Sequence, residues 1–277
     1  MPTAITDLKE KANKIRQDVI KMLATAHSWH GPSSMSPADL VTALYFNVMR
    51  VNPKNPNWQD RDRFVLSKGH ACSLLYVVLA EKGFFSKEEL PNYRKPFSIL
   101  QGHPCITSTP GVEMSTGSLG QGLSAAVGMA IGGKLDKKDF RVYALLSDGE
   151  MQAGQTWEAA MAAAHYKLDN LTAIVDYNKL QATARVEEEM AVEPLAAKWR
   201  AFGWHVIEIN GHDMQKILDA FQEAKGVKGK PSVIVAHTLK GKGVSFMEDV
   251  VDWHGKIVTE EDAKRALEEL QRGEADE

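Results

Sequence analysis

Four short runs dominated by apolar, often β-branched residues recur through the second half of this chain: RVYALL at 141–146, NLTAIV at 170–175, HVIEI at 205–209 and SVIVA at 232–236. A strand that is apolar on both faces must be covered on both faces, which is the situation of a parallel sheet between helices. The stretches separating these runs carry the spacing of helices of ten to fifteen residues, and strict strand–helix alternation argues for parallel pairing. The expected elements are helix 120–134, strand 141–147, helix 155–167, strand 171–177, helix 193–202, strand 204–209, helix 213–226 and strand 231–237. The fold class that follows is α/β, a three-layer αβα arrangement around a doubly wound, mainly parallel sheet.

Upstream, residues 7–27 have helical apolar spacing, with Thr6 or Asp7 as N-cap. HSWHGPSSMS reads as a loop rich in small polar residues. Pro37 then opens a helix through Met49, where a first-turn proline gives up no hydrogen bond. FVLS is a short strand, and SLLYVVLAEKGF a buried helix ending at Gly83. From Phe84 to Met114 the chain shows little periodicity, and loops of that length usually serve a site. The final TEEDAKRALEELQRGEADE is a capped helix with an acidic, frayed tail. No repeat or linker divides the chain, so residues 1–277 are expected to form one domain.

A net charge of −3 leaves no electrostatic footprint for nucleic acid or an anionic membrane surface. No apolar run approaches the roughly 18–20 residues of a membrane span. The first residues pattern as an amphipathic helix rather than a signal peptide. Cys72 and Cys105 stand in unrelated contexts, as free thiols of a reducing compartment would, and the expected location is the cytoplasm.

Asp148-Gly149-Glu150 closes one expected strand and Asn178 closes the next. Adjacent parallel strands present their carboxyl ends to one crevice, the usual ligand site of open α/β sheets. An acidic oxygen and an amide oxygen then meet roughly 5–10 Å apart. Hard oxygen donors suit Mg²⁺ or Ca²⁺, which commonly carry a phosphate ligand, and the Leu180 carbonyl can complete the set. The pair therefore points to a metal-bridged diphosphate. Ordinary turn chemistry at both strand ends is the competing explanation.

Ser115 to Gly122, STGSLGQG, is a glycine-rich turn before a helix, able to bring backbone N–H groups to an anion or simply to pack tightly. His30, His70, His103 and His254 all lie in loops beside Gly or Pro, in WHGPS, SKGHA, QGHPC and WHGK. They are either surface residues or the lining of a polar pocket that moves protons. The absence of paired Cys or His spacing speaks against zinc. His165, His205, His212 and His237 belong with regular elements. Lys240-Gly241-Lys242-Gly243 follows the last strand, as a phosphate-closing loop or a solvated turn.

Taken together, DRFVLSKGHA, QGHP, STGSLGQGLS, SDG…N, KGKGVSFME and WHGK resemble the transketolase family in order and approximate spacing, from about residue 7 to 258. The resemblance is to the N-terminal, diphosphate-binding part and implies the N-terminal subunit of a split transketolase. It implies thiamine diphosphate as cofactor, with Mg²⁺ (or Ca²⁺) on Asp148, Asn178 and the Leu180 carbonyl. Gly117, Ser118, Leu119 and Gly149 would approach the cofactor through backbone, and Ser33, His70, Lys240 and His254 match further cofactor contacts. His30, His103 and His254 match residues that bind substrate hydroxyls or move protons. Glu158 matches a member of a carboxylate network between active sites. The implied reaction moves a two-carbon ketol unit from a ketose phosphate to an aldose. The implied partner is a C-terminal subunit with the pyrimidine-binding domain and the catalytic Glu, in an α2β2 heterotetramer, and this chain alone would be inactive.

Three positions depart from the family pattern: Ser147 for Gly, Ala153 for Glu, and Trp29 for a small residue. The α subunit of a 2-oxoacid dehydrogenase is a neighbouring alternative, against which the histidine loops speak, and a non-catalytic cofactor-binding homologue is another.

Overall fold

The sheet has five strands, all parallel, in a computed structural model that describes residues 4–275. In chain order these are β1 (Arg63–Leu66), β2 (Val142–Ser147), β3 (Leu171–Tyr177), β4 (His205–Asn210) and β5 (Ser232–His237). Their spatial order is β1-β2-β3-β5-β4. The helices are α1 (Ile5–Thr25), α2 (Gly31–Met35), α3 (Ala38–Ala43), α4 (Cys72–Lys82), α5 (Gln121–Leu135), α6 (Gly154–His165), α7 (Val186–Met190), α8 (Leu195–Ala201), α9 (Met214–Gly226) and α10 (Glu260–Ala275).

Alternation along each strand sorts the apolar side chains into two cores. Tyr143, Leu145, Ile174 and Ile234 face a layer built from α1, α3, α4, α9 and α10, represented by Leu8, Val41, Leu75, Phe221 and Leu270. Val142, Ala144, Leu146, Val175 and Val235 face α5, α6 and α8, represented by Leu123, Ala160 and Trp199. This two-sided burial is why the strand sequences are nearly continuous apolar runs, and it bears out the αβα reading.

Three local expectations are corrected. The stretch read as a loop before Pro37 folds from Gly31 to Met35 as the buried helix α2, with Pro32 in its first turn and His30 in the left-handed region at φ 68°. The proline favours a helix start, which outweighs the small polar residues around it. Helix 193–202 begins at Leu195, because Pro194 lacks an N–H and the Glu193 carboxylate accepts the Leu195 N–H at 2.6 Å. The first helix starts at Ile5 with Ala4 as N-cap and no side-chain capping bond, so neither Thr6 nor Asp7 has that role. The end of the expected acidic tail, residues 276–277, lies outside the described residues.

Candidate functional site

The strands β1, β2, β3 and β5 are parallel, so their carboxyl ends share one edge of the sheet, where open α/β sheets form their ligand crevice. Ser147 is level with Asp176 across β2 and β3, so Asp148 and Asn178 leave adjacent strand tips. Asp148 is 1% exposed; its carboxylate accepts N–H groups from Gly149 at 2.7 Å and from Lys179. Burial, reinforced by the neighbouring Asp176 charge, pushes its pKa up to about 6. The Asn178 amide donates to Asp176 Oδ2 at 3.0 Å, and its oxygen accepts the Leu180 N–H at 3.1 Å. The carbonyls of Leu180 and Gln181 accept from Lys240 Nζ at 2.8 and 3.3 Å.

Lys240 is 2% exposed and lies 2.7 Å from His254 Nδ1. Burial brings its pKa down to about 8, with the Lys68 charge acting in the same sense. His30, His70 and His254 form a triangle of imidazoles whose ring centroids are 5.1, 5.1 and 5.7 Å apart. Burial lowers the pKa of His30 to about 4 and of His254 to about 3, the latter also opposed by Lys240, and holds His70 well below the usual histidine range. These rings are therefore neutral at pH 7, able to accept at one nitrogen and donate at the other.

The glycine-rich turn packs against the loops that carry His70 and His103. A Cβ on Gly117 would lie 3.0 Å from the His103 ring, and a Cβ on Gly69 would lie 2.6 Å from the Thr116 carbonyl oxygen. Both glycines are needed for the His70 and His103 loops to pack against this turn. Ser118 and Leu119 are exposed on it, and Gly120 turns at φ 88° into α5. Ser33 is buried on α2. Glu158 is exposed on α6, outside the buried cluster.

Several contributors carried little signal in the sequence. Glu150 is fully buried: one oxygen accepts from Ser67 Oγ and from the Gly120 N–H at 2.6 Å, the other from the Ser147 N–H at 3.2 Å. A third acidic or polar residue directly after the Asp-Gly turn was its only trace. Arg94, in the aperiodic loop, places its guanidinium 4.3 Å from the Trp29 ring centroid. Lys68 and Asp176 form a buried ion pair at 2.6 Å.

The crevice can be tested for what it would hold. His30 Nδ1 and Gln181 Nε2 are buried without a hydrogen-bond partner, and Gln181 packs against Gly149, whose Cβ would lie 3.1 Å from Gln181 Oε1. The Gln181 NH₂ group, an orphaned donor, calls for an acceptor, and His30 Nδ1 for a polar group of a ligand. Among the described residues no three His, Cys, Asp or Glu side chains gather as a metal-binding group. One carboxylate, one amide oxygen and one backbone carbonyl remain, a set of hard oxygens suited to Mg²⁺ or Ca²⁺ and not to zinc. Buried ammonium and imidazole groups alongside suit the phosphates such a cation carries.

Fold and crevice together define an α/β protein built to hold a phosphorylated cofactor at its strand tips. Residues 8–273 match the family model described as transketolase, thiamine diphosphate binding domain, and the chain belongs to that family. It is 44% identical over 266 residues to one of the subunits of the apulose-4-phosphate transketolase of Phocaeicola vulgatus, covering 96% of this chain and 94% of that one. It is 45% identical over 266 residues to the 6-deoxy-6-sulfo-D-fructose transketolase subunit SqwG of a Clostridium species, covering 96% and 97%. The crystal structure of Campylobacter jejuni transketolase superposes with a TM-score of 0.91 at 37% identity, over 98% of this chain but 43% of that chain. Against human transketolase the chain likewise spans 42% of the longer protein. No helix among the described residues is long and apolar enough to cross a membrane.

Proposed function

We propose that residues 1–277 act as one cofactor-binding unit, the N-terminal subunit of a two-chain transketolase. Its partner is a C-terminal subunit bearing the pyrimidine-binding domain and the catalytic Glu, in an α2β2 assembly. The reading is carried by one observation: hydrogen bonds link Asp148, the Asn178–Leu180 turn, Lys240 and His254 in a chain that matches the thiamine diphosphate binding domain of transketolase. That relatives of the same length are named as subunits supports the division of labour.

Bound thiamine diphosphate supplies the electron sink for cleaving and forming the carbon–carbon bond of a ketol transfer. Asp148, Asn178 and the Leu180 carbonyl hold Mg²⁺ (or Ca²⁺). Lys240, His70, His254 and Ser33 bind the cofactor beside it, and Gly117, Ser118, Leu119 and Gly149 approach it through backbone. His30, His103 and His254 bind the sugar hydroxyls. Being neutral, the His30 and His254 rings can take a proton from a hydroxyl and return it without first losing one to water.

The donor is a ketose with an anionic end and the acceptor an aldose. The names of the two subunits compared above, one with a phosphorylated and one with a sulfonated sugar, favour a sugar that carries a phosphate or a sulfonate. Trp29 would narrow that choice. A cytoplasmic location accords with the two free cysteines.

The test is isothermal titration of thiamine diphosphate into the chain with and without Mg²⁺ and partner, followed by assay of the pair. Ketol transfer from a ketose phosphate is expected. Release of CO₂ from a 2-oxoacid would assign the pair to 2-oxoacid dehydrogenase chemistry. Cofactor binding without turnover would leave a non-catalytic homologue.

A further inference from the structure

We propose that Asp176 is a positioning residue, which fixes the Asn178 side-chain amide so that its oxygen and not its nitrogen faces the cation. The inference rests on the cofactor reading above and adds a residue that no motif marks.

Asp176 is fully buried at the tip of β3, level with Ser147 on β2 and Ala236 on β5. Its Oδ2 accepts from Lys68 Nζ at 2.6 Å, Ser36 Oγ at 2.7 Å and Asn178 Nδ2 at 3.0 Å, and its Oδ1 accepts from Thr238 Oγ1. Four donors on one carboxylate, one of them an ammonium, require the acceptor-only, ionised form. Facing it, Asn178 can present only its NH₂ end, because its carbonyl oxygen would meet a negative oxygen. The amide oxygen is thereby turned away from Asp176. There it uses one lone pair on the Leu180 N–H and keeps the other free.

A cation can be held by the oxygen of an amide and not by its NH₂ group, so the orientation decides whether Asn178 is a ligand at all. The same bond anchors the backbone of Leu180, the residue whose carbonyl is the third candidate ligand and is itself held by Lys240. One buried carboxylate thus orients one donor and, through it, anchors the residue that carries another, while Lys68, 1% exposed, balances its charge. A carboxylate kept only for stability would need the ammonium and hydroxyls, but no amide.

The experiment measures the Mg²⁺ midpoint for thiamine diphosphate binding to the full chain with its partner, and thermal stability alongside. In Asp176→Asn the replacement amide can either accept from or donate to Asn178 and no longer dictates its orientation. The midpoint should rise by about 10–100-fold, the usual consequence of removing an outer-shell partner. Ser36→Ala removes one donor to Asp176 without touching Asn178 and should lower stability while leaving the midpoint in place. The double variant D176N/N178D presents two equivalent oxygens at position 178 and needs no orientation, so its midpoint should return toward wild type. Its folding is read by near-ultraviolet circular dichroism. A midpoint unchanged in a folded Asp176→Asn, or a folded double variant without recovery, overturns the proposal. Absence of Mg²⁺-dependent binding in the wild type would instead remove the cofactor reading on which it stands.

Discussion

The guanidinium of Arg94 lies over the indole of Trp29, 4.3 Å from the ring centroid, where the loop bearing His30 meets the loop bearing His103. Gly102 makes room for it: a Cβ there would come within 3.3 Å of Arg94 Cζ. Arg94 reaches this place with a positive φ of 61°, a conformation uncommon for a residue with a side chain. The stack ties together two histidine loops at the mouth of the crevice and gives the unusual Trp29 a structural purpose.

Trp29→Leu should therefore loosen the mouth and leave the floor. The lost cation–π contact is worth about 0.5–1 kcal/mol at a partly exposed site. In the assembled enzyme, the KM for the sugar should change while the Kd for thiamine diphosphate stays within twofold or so. Steady-state kinetics and titration on the same preparation check this. A cofactor Kd that moves as far as the KM would rule out a role confined to the sugar.

Asp148→Ala should abolish the Mg²⁺ dependence of cofactor binding and leave the fold intact. The side chain is buried and accepts from two backbone N–H groups, so its loss removes polar contacts rather than apolar packing. Titration with and without Mg²⁺, beside a circular dichroism spectrum, decides it. An affinity that still responds fully to Mg²⁺ would show that the cation is held elsewhere.

His30 carries a pH signature with a definite sign. Burial depresses its folded pKa from 6.5 to about 4, so the unfolded chain takes up this proton first as pH falls. The site therefore costs no stability above pH 6.5, and below it draws the protein toward unfolding until the folded pKa is reached. His30→Gln cannot take up that proton. Relative to wild type it should gain up to about 2 kcal/mol between pH 7 and pH 5. Urea unfolding at the two pH values measures the difference, and a constant gap would mean that His30 titrates normally in the folded protein.

What the sequence disclosed was whatever leaves a local pattern. The strand runs located β2 to β5 within a residue or so, because two-sided burial forces apolar side chains along β2, β3 and β5, and the edge strand β4 still keeps Val206, Ile207 and Ile209. Asp148 and Asn178 were legible from their places at consecutive strand ends. Helix α2 was hidden because its five residues look like loop composition, and only Pro32 and the packing around it make it helical. Arg94, Lys68 and Asp176 were silent, and Glu150 showed only its place beside Asp148-Gly149, for a different reason. Their partners are 65, 108 and 83 residues away in Trp29, Asp176 and Ser67, and no local periodicity encodes such pairings.

His103→Ala should lower turnover much more than cofactor affinity. The imidazole packs on Gly117 and is exposed at the crevice mouth, so it can meet substrate without supporting the floor. Removing one hydrogen-bonding or proton-moving group of this kind commonly costs about 10²–10⁴ in rate. Stopped-flow turnover and cofactor titration separate the two quantities, and matching losses in both would place His103 in cofactor binding instead.

Glu150 makes the strongest structural demand on the site. Its one carboxylate joins the Ser67 hydroxyl after β1, the Gly120 N–H in the glycine-rich turn and the Ser147 N–H at the end of β2. All three are donors, and only an ionised carboxylate accepts them all. Burial opposes that ionisation and raises the Glu150 pKa, while the three donors and the nearby Lys68 charge act to lower it. Glu150→Gln preserves the shape but turns one acceptor oxygen into an NH₂ group, which must then face a donor. The expected cost is about 1.5–3 kcal/mol, the worth of a hydrogen bond to a charged group. The loss should show as faster amide exchange at Gly120 and Ser147 before the rest of the sheet opens. Uniform acceleration across all strands would mean that Glu150 contributes to global stability without specifically holding the turn against the strand tips.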